Sequence, residues 1–166
     1  MSKRPNGPST MLRTGFTLIE LVITVAIVAL LASAAFPVTE LAVRREKESE
    51  LRRDLRQIRD AIDAYKLAWD EGRVKKSIDE TGYPKSLEQL AEGVENEKSP
   101  KREKIYFLRR VPRDPFNPDT SLSAAASWGK RSYASAPDEP RDGSDVYDVF
   151  SLARGKGSDG RPYKEW

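Results

Sequence analysis

The feature that most limits what this chain can become is an apolar run over residues 16–36, in which Glu20 is the single ionisable side chain among 21 residues. A helix of that length rises about 30 Å at ~1.5 Å per residue, the thickness of a bilayer's hydrocarbon core. The run predicts a membrane-spanning helix over residues 16–37. A carboxylate in such a helix costs about 2.5–3.5 kcal/mol at mid-membrane and less toward the interface, where Glu20 would lie. An anchor alone has no use for it, so Glu20 is a candidate functional residue that needs a cationic partner. Cleavage after Gly15 would supply one, the α-amino group of Phe16, with an ordinary pKa of about 8.

The residues around it, Arg13-Thr14-Gly15-Phe16-Thr17-Leu18-Ile19-Glu20 and the run that follows, resemble the prepilin leader and N-terminal helix of type IV pilins and type II secretion pseudopilins. In that family a membrane aspartyl peptidase cuts after the glycine and N-methylates the new terminal residue. The resemblance implies a leader peptide over residues 1–15, cleavage between Gly15 and Phe16, methylation of Phe16 and an assembly role for Glu20. The competing reading is an ordinary signal anchor that happens to contain a glutamate. A secretory signal cut at Ala32-Ser33-Ala34 competes as well, but its apolar region would have no use for Glu20.

With no histidine and no cysteine, the chain can form no disulfide, no zinc site of the usual kind and no Cys–His or Ser–His catalytic pair. The formal charge of +3 suggests nucleic acid, yet residues 1–15 hold the whole excess in Lys3, Arg4 and Arg13. Without them 26 basic side chains face 26 acidic ones, and no basic stripe for phosphate remains. Nucleic acid is not an expected partner. The same three cations, beside Pro5, Gly7 and Pro8, predict an unstructured cytoplasmic tail by the positive-inside rule. The rest of the chain would then face the periplasm, as a single-pass inner-membrane protein.

Pro37 predicts a kink or local break in the helix. Beyond it, Leu51, Leu55, Ile58, Ile62, Tyr65 and Trp69 recur at spacings of four and three, one stripe of an amphipathic helix. Glu48 with Arg52, Arg56 with Asp60, and Arg59 with Asp63 stand at helical ion-pair spacing. Residues 38–73 hold nine basic and nine acidic side chains, a charge-laced but neutral helix. The stripe packs on a small sheet or, alternatively, forms a two-stranded coiled coil. Gly72 suits the helix end. Ser86 is placed to cap a short helix carrying Leu87 and Leu90, with Gln89 at the capping-box position.

Residues 92–104 read as an exposed polar loop. Pro112, Pro115 and Pro118 forbid a regular helix or central strand and predict an ordered irregular segment burying Val111 and Phe116. Strands are expected at 131–136 and 145–152, the second placing Val146, Phe150 and Leu152 on one face and Tyr147, Val149 and Ser151 on the other. Gly155, Gly157 and Gly160 form a tight loop before a short extended end at 162–166. These pieces predict an α+β domain over 38–166, a long helix on a small antiparallel sheet.

Gly82-Tyr83-Pro84-Lys85-Ser86-Leu87, Tyr106-Phe107-Leu108-Arg109-Arg110-Val111-Pro112-Arg113-Asp114-Pro115-Phe116, Trp128-Gly129-Lys130-Arg131-Ser132-Tyr133 and Asp145-Val146-Tyr147-Asp148-Val149-Phe150-Ser151-Leu152 are similar to the major pseudopilins of type II secretion systems. That resemblance implies a pilin-like fold and no enzymatic activity. It implies a structural subunit, matured by prepilin peptidase and lifted by an inner-membrane assembly platform into a homo-oligomeric helical filament with minor pseudopilins. The filament would drive protein export across the outer membrane. A type IV pilin or minor pilin, or a non-polymerising membrane-anchored binding domain, are the alternatives. Major pseudopilins of the best-known kind bind Ca²⁺ through closely spaced aspartates near the C-terminus. Here loop 153–160 offers one carboxylate, Asp159, beside Ser158. With backbone carbonyls and Glu165 these are the candidate ligands for an ion that wants six to eight oxygens. A plain turn at Asp159-Gly160 is the alternative, as is a solvated hairpin for Asp138, Asp142, Asp145 and Asp148. No other cofactor is expected.

Overall fold

A computed structural model describes residues 15–166, with backbone alone for residues 34–39. Residues 1–14, nearly all of the expected leader, lie outside it. The chain divides into two compact units, 1–42 and 43–166. The fold is α+β as expected, with a long N-terminal helix, a second short helix and small antiparallel sheets.

Helix α1 covers Leu18–Asp70. Of the kink or local break expected at Pro37, the break is absent, since the helix runs on through that residue. In the first unit the apolar side chains from Leu18 to Leu31 are exposed. Among the described residues no helix is long and apolar enough to cross a membrane.

In the second unit the predicted stripe is the core. Leu51, Leu55, Ile58, Ile62 and Tyr65 are buried with Ala61 and Ala68, and Trp69 packs at the edge. They meet Leu87, Leu90, Leu108, Trp128, Val146 and Val149 of the same chain, so the stripe is spent within the domain rather than in a coiled coil. The helix ends as Gly72 predicts. At φ +72 it donates its N–H to the Trp69 carbonyl at 2.9 Å, and Arg73 donates to Ala68 at 2.8 Å. That pair of bonds satisfies carbonyls the last turn would otherwise leave open.

Helix α2, Leu87–Glu92, is capped by Ser86, whose side chain accepts the Gln89 N–H at 3.4 Å. The Gln89 side chain reaches back one residue further than a regular capping box, to the Lys85 N–H at 2.9 Å. The region expected as a loop, 92–104, contains a small hairpin. Strand β1, Val94–Glu95, pairs antiparallel with β2, Lys104–Ile105, Val94 opposite Ile105. Phe107 and Leu108 then both donate to the Leu90 carbonyl, tying this hairpin to α2.

The main sheet joins β3, Trp128–Arg131, to β4, Asp148–Ser151, with Trp128 opposite Ser151 and Arg131 opposite Asp148. Both strands are shorter than expected, and β3 starts earlier, at Trp128 rather than Arg131. The ladder stops after Arg131 because the buried carboxylate of Asp145 takes the Tyr133 N–H at 2.9 Å, and Val146 donates instead to the Pro84 carbonyl at 2.7 Å. Val149 and Ser151 face the core, while Phe150 lies over Gly129, where a Cβ would stand 2.4 Å from its ring. The chain end is a 3₁₀ turn, Tyr163–Glu165, not an extended piece. The turn lets Tyr163 stack on Phe116 with ring centroids 4.4 Å apart and meet Trp166 edge-on.

Candidate functional site

Two places carry the residues singled out by the sequence, and each belongs to its own unit. At the N-terminal one, Gly15, Phe16 and Thr17 precede α1 without regular structure. Thr17 caps the helix: its hydroxyl accepts the Glu20 N–H at 3.3 Å, and its carbonyl accepts the Leu21 N–H at 3.1 Å. Glu20 therefore occupies the third helical position, in the first turn, where the helix macrodipole favours an anion. Thr17-Leu18-Ile19-Glu20 has the capping-box spacing, a signal the reading of this stretch as a membrane segment passed over. Phe16 is 82% exposed, and a Cβ added to Gly15 would have nothing within 4 Å.

The second place is the C-terminal loop, where Ser158 and Asp159 lie. The loop is closed by a bridge between Lys156 and Pro162 and by the Gly157 N–H donating to the Arg161 carbonyl at 2.8 Å. Helix α1 meets it through Glu48, whose two oxygens accept the Ser158 N–H at 3.1 and 3.2 Å. Tyr163 donates its hydroxyl to Glu48 at 3.0 Å. Arg44 donates to Glu48 and to Tyr163, each at 3.2 Å, and also to the Lys156 carbonyl. Burial alone would push the Glu48 carboxyl up, but the Ser158 and Tyr163 hydrogen bonds and the Arg44 charge hold it below its ordinary value. One turn on, Arg52 reaches Asp159 at 3.3 Å and lies over the Trp166 ring, 4.2 Å from its centroid.

These residues do not fit a calcium site. The Asp159 carboxylate accepts the Arg161 N–H at 3.1 Å on one oxygen. Its other oxygen accepts the Arg161 guanidinium at 3.0 and 3.1 Å, and Arg52 as well. The Arg161 N–H, its guanidinium and Arg52 hold Asp159 below the usual carboxylate range. Glu165 is exposed, and among the described residues no three acidic side chains gather. An ion needing six to eight oxygens finds here one engaged carboxylate beside one serine.

The ion pairs expected along α1 also form differently. Glu48 pairs with Arg44, Arg52 with Asp159, and Arg59 with Asp148 at 2.8 Å. These side chains flank the buried stripe, so they meet the C-terminal segment packed there instead of each other. Asp145 and Asp148, read as solvated hairpin residues, are structural: Asp148 also pairs with Arg131, and Asp145 accepts from Thr81 and Tyr133. Asp114 is the polar centre that sequence reasoning missed. It is 1% exposed and accepts from the Phe116 N–H at 2.8 Å and the Ser151 hydroxyl at 2.6 Å. Its own N–H donates to Ser127, and these bonds organise the proline-rich segment. Val111 and Phe116 are half-buried there, at the rim of the core. The available signal was an aspartate followed by Pro115 in a proline-rich stretch, a turn-initiating pattern.

Residues 11–36 match the prokaryotic N-terminal methylation motif. Over 153 residues the chain is 26% identical to the type II secretion system core protein G of Dickeya chrysanthemi, covering 88% of this chain and 92% of the relative. The protein of the same name from Pseudomonas aeruginosa is 29% identical over 138 residues, 80% of this chain and 89% of the relative. That from Pectobacterium carotovorum is 27% identical over 165 residues, 96% and 85% of the two chains. No solved structure matches the chain. None of these relatives bears the name of an enzyme, in keeping with the expectation of a structural protein. The chain thus carries the prokaryotic N-terminal methylation motif and is similar over most of its length to the type II secretion system core protein G family.

Proposed function

We propose that the chain is a pseudopilin of a type II secretion system, a structural subunit and not an enzyme. The observation that carries this is the coincidence, in one chain, of the methylation motif over residues 11–36 with similarity to core protein G along the remainder. Prepilin peptidase removes residues 1–15 and methylates Phe16. Residues 16–37 then hold the protein in the inner membrane, with residues 38–166 in the periplasm. An assembly platform lifts the subunit into a short filament with further copies and minor pseudopilins, and the filament moves proteins across the outer membrane.

The exposed apolar face of α1 from Leu18 to Leu31 supports the exchange this mechanism needs. In the membrane that face contacts lipid, and in the filament it contacts the helices of neighbouring copies. Lipid tails are as apolar as leucine, so packing and polar partners decide the association. Glu20 is the polar partner. Charge pairing with a neighbour's Phe16 amine lowers the cost of holding both in a dry surrounding, and a shifted register leaves each unpaired. Glu20 therefore acts as a register pin more than as a source of stability.

The test is export in a strain lacking this chain, together with electron microscopy of filaments on overproduction. Loss of export, restored by the wild-type chain, and filaments containing it are expected. Unchanged export with lost surface pili would favour the type IV pilin instead.

A further inference from the structure

We propose that the C-terminal loop, residues 155–161, is fastened to α1 by the chain's own guanidinium groups on Glu48 and Asp159, making its order independent of divalent metal. The inference stands apart from the secretion reading, since it concerns only contacts within residues 43–166.

Glu48 and Arg52 are one helical turn apart and so share a face of α1. They carry opposite charges, and each grips a different group of the loop. The Glu48 carboxylate takes the Ser158 N–H, and the Arg52 guanidinium takes the Asp159 carboxylate next in sequence. The pairing is therefore antisymmetric: helix anion to loop donor, helix cation to loop anion. Shifting the loop by one residue breaks both contacts at once. Arg44 closes the lower end on Glu48, Tyr163 and the Lys156 carbonyl, and Arg161 closes the upper end on Asp159.

Charge decides against a metal. Two carboxylates here face three guanidinium groups, so the cluster already carries a net positive charge. A divalent cation would be repelled by that excess, and to reach Asp159 it would have to displace both Arg52 and Arg161. Guanidinium hydrogen bonds are directional and charge-assisted, so they fix the loop's register, which a calcium ion would do by collecting its oxygens.

Hydrogen–deuterium exchange on the full chain in detergent tests this. Calcium chloride at about 10 mM, well above the weakest protein calcium sites, is compared with a chelator. The exchange of residues 157–161 in the wild type should be the same in both. Arg52→Gln combined with Arg161→Gln should speed it roughly tenfold at the amides of positions 158 and 161, with α2 still protected. Slowing of wild-type loop exchange by calcium of roughly tenfold or more would overturn the proposal. So would unchanged loop exchange in the double variant. Should that variant lose protection in α2 as well, the wild-type calcium comparison decides alone.

Discussion

Glu48 and Tyr163, 115 positions apart in the chain, meet where the Tyr163 hydroxyl donates to the Glu48 carboxylate at 3.0 Å. The contact joins the start of the second unit's helix to the last turn of the chain, and it stands at the rim of the core rather than on open surface. Tyr163 is itself buried, stacked on Phe116. The C-terminal segment is thereby part of the domain's folding unit.

Removing the Glu48 charge should loosen that segment. Glu48 is 4% exposed and accepts from Ser158, Tyr163 and Arg44. Glu48→Gln should cost about 1–3 kcal/mol at pH 7, since the buried Tyr163 hydroxyl, the Ser158 N–H and Arg44 lose a charged acceptor. A carboxyl held below its ordinary value of 4.5 contributes stability that is present above the unfolded pKa and lost as pH falls through the folded one. The gap between wild type and variant should therefore shrink below about pH 4. Denaturation followed by tryptophan fluorescence at several pH values measures it, because Trp69, Trp128 and Trp166 all lie in the second unit.

Asp54 should behave in the opposite sense. It is 7% exposed, on the other flank of the stripe, and among the described residues its one ionic contact is Arg53 at 4.0 Å. Burial first, then Glu50 and Asp114, push its carboxyl up. A raised carboxyl pKa means the charged form is disfavoured on folding, so its cost is absent at low pH and grows as pH rises past the unfolded value. Asp54→Asn should raise stability at pH 7, and the gain should vanish toward pH 3–4. A variant less stable than wild type at pH 7 would show that the charge serves a contact in the fold.

The stripe itself carries the domain. Leu55 and Ile62, 2% and 1% exposed, should each cost about 2–5 kcal/mol on substitution by alanine. A chain starting at Val38 should be soluble and folded, because Leu51, Leu55, Ile58, Ile62 and Tyr65 find their partners within residues 43–166. Unchanged denaturation midpoints for both alanine variants would place the stripe at a surface instead.

How much of this was legible in the sequence follows from the range of each interaction. The stripe from Leu51 to Trp69, the Gly72 cap and the Ser86 cap rest on residues within one or two turns, and periodicity and capping chemistry disclosed them. Strand limits did not follow, because β3 ends where Asp145, twelve residues from Tyr133, captures its N–H. The small hairpin of β1 and β2 is two residues wide, too short for any alternation to register. Charged residues of α1 were matched to the helical neighbours that spacing offers, whereas their partners arrive from about 90 to 110 residues away. The candidate metal loop failed for the same reason: the sequence showed Asp159 but not the two arginines folded onto it.

Processing at the N-terminus should depend on the open position before the expected scissile bond. Among the described residues nothing stands within 4 Å of a Cβ at Gly15, so a side chain there is expected to obstruct the peptidase and not the fold. Gly15→Val should leave residues 1–15 attached while the protein still inserts in the membrane. Intact-mass measurement of the membrane-extracted protein reads this directly, with wild type expected to begin at a methylated Phe16. A wild-type mass that retains residues 1–15 would exclude processing at this bond.

The most direct measurement is complementation with Glu20→Gln, scoring processing, filament yield and export in the same cells. Glutamine keeps the size and the helix position set by the Thr17 cap but removes the charge proposed to pair with a neighbour's amine. The expected result is normal cleavage, normal membrane insertion and an intact periplasmic domain, with filaments and export both reduced at least tenfold, the effect of about 1.4 kcal/mol per joining subunit. Wild-type filament yield and wild-type export from Glu20→Gln would contradict a role for this carboxylate in assembly.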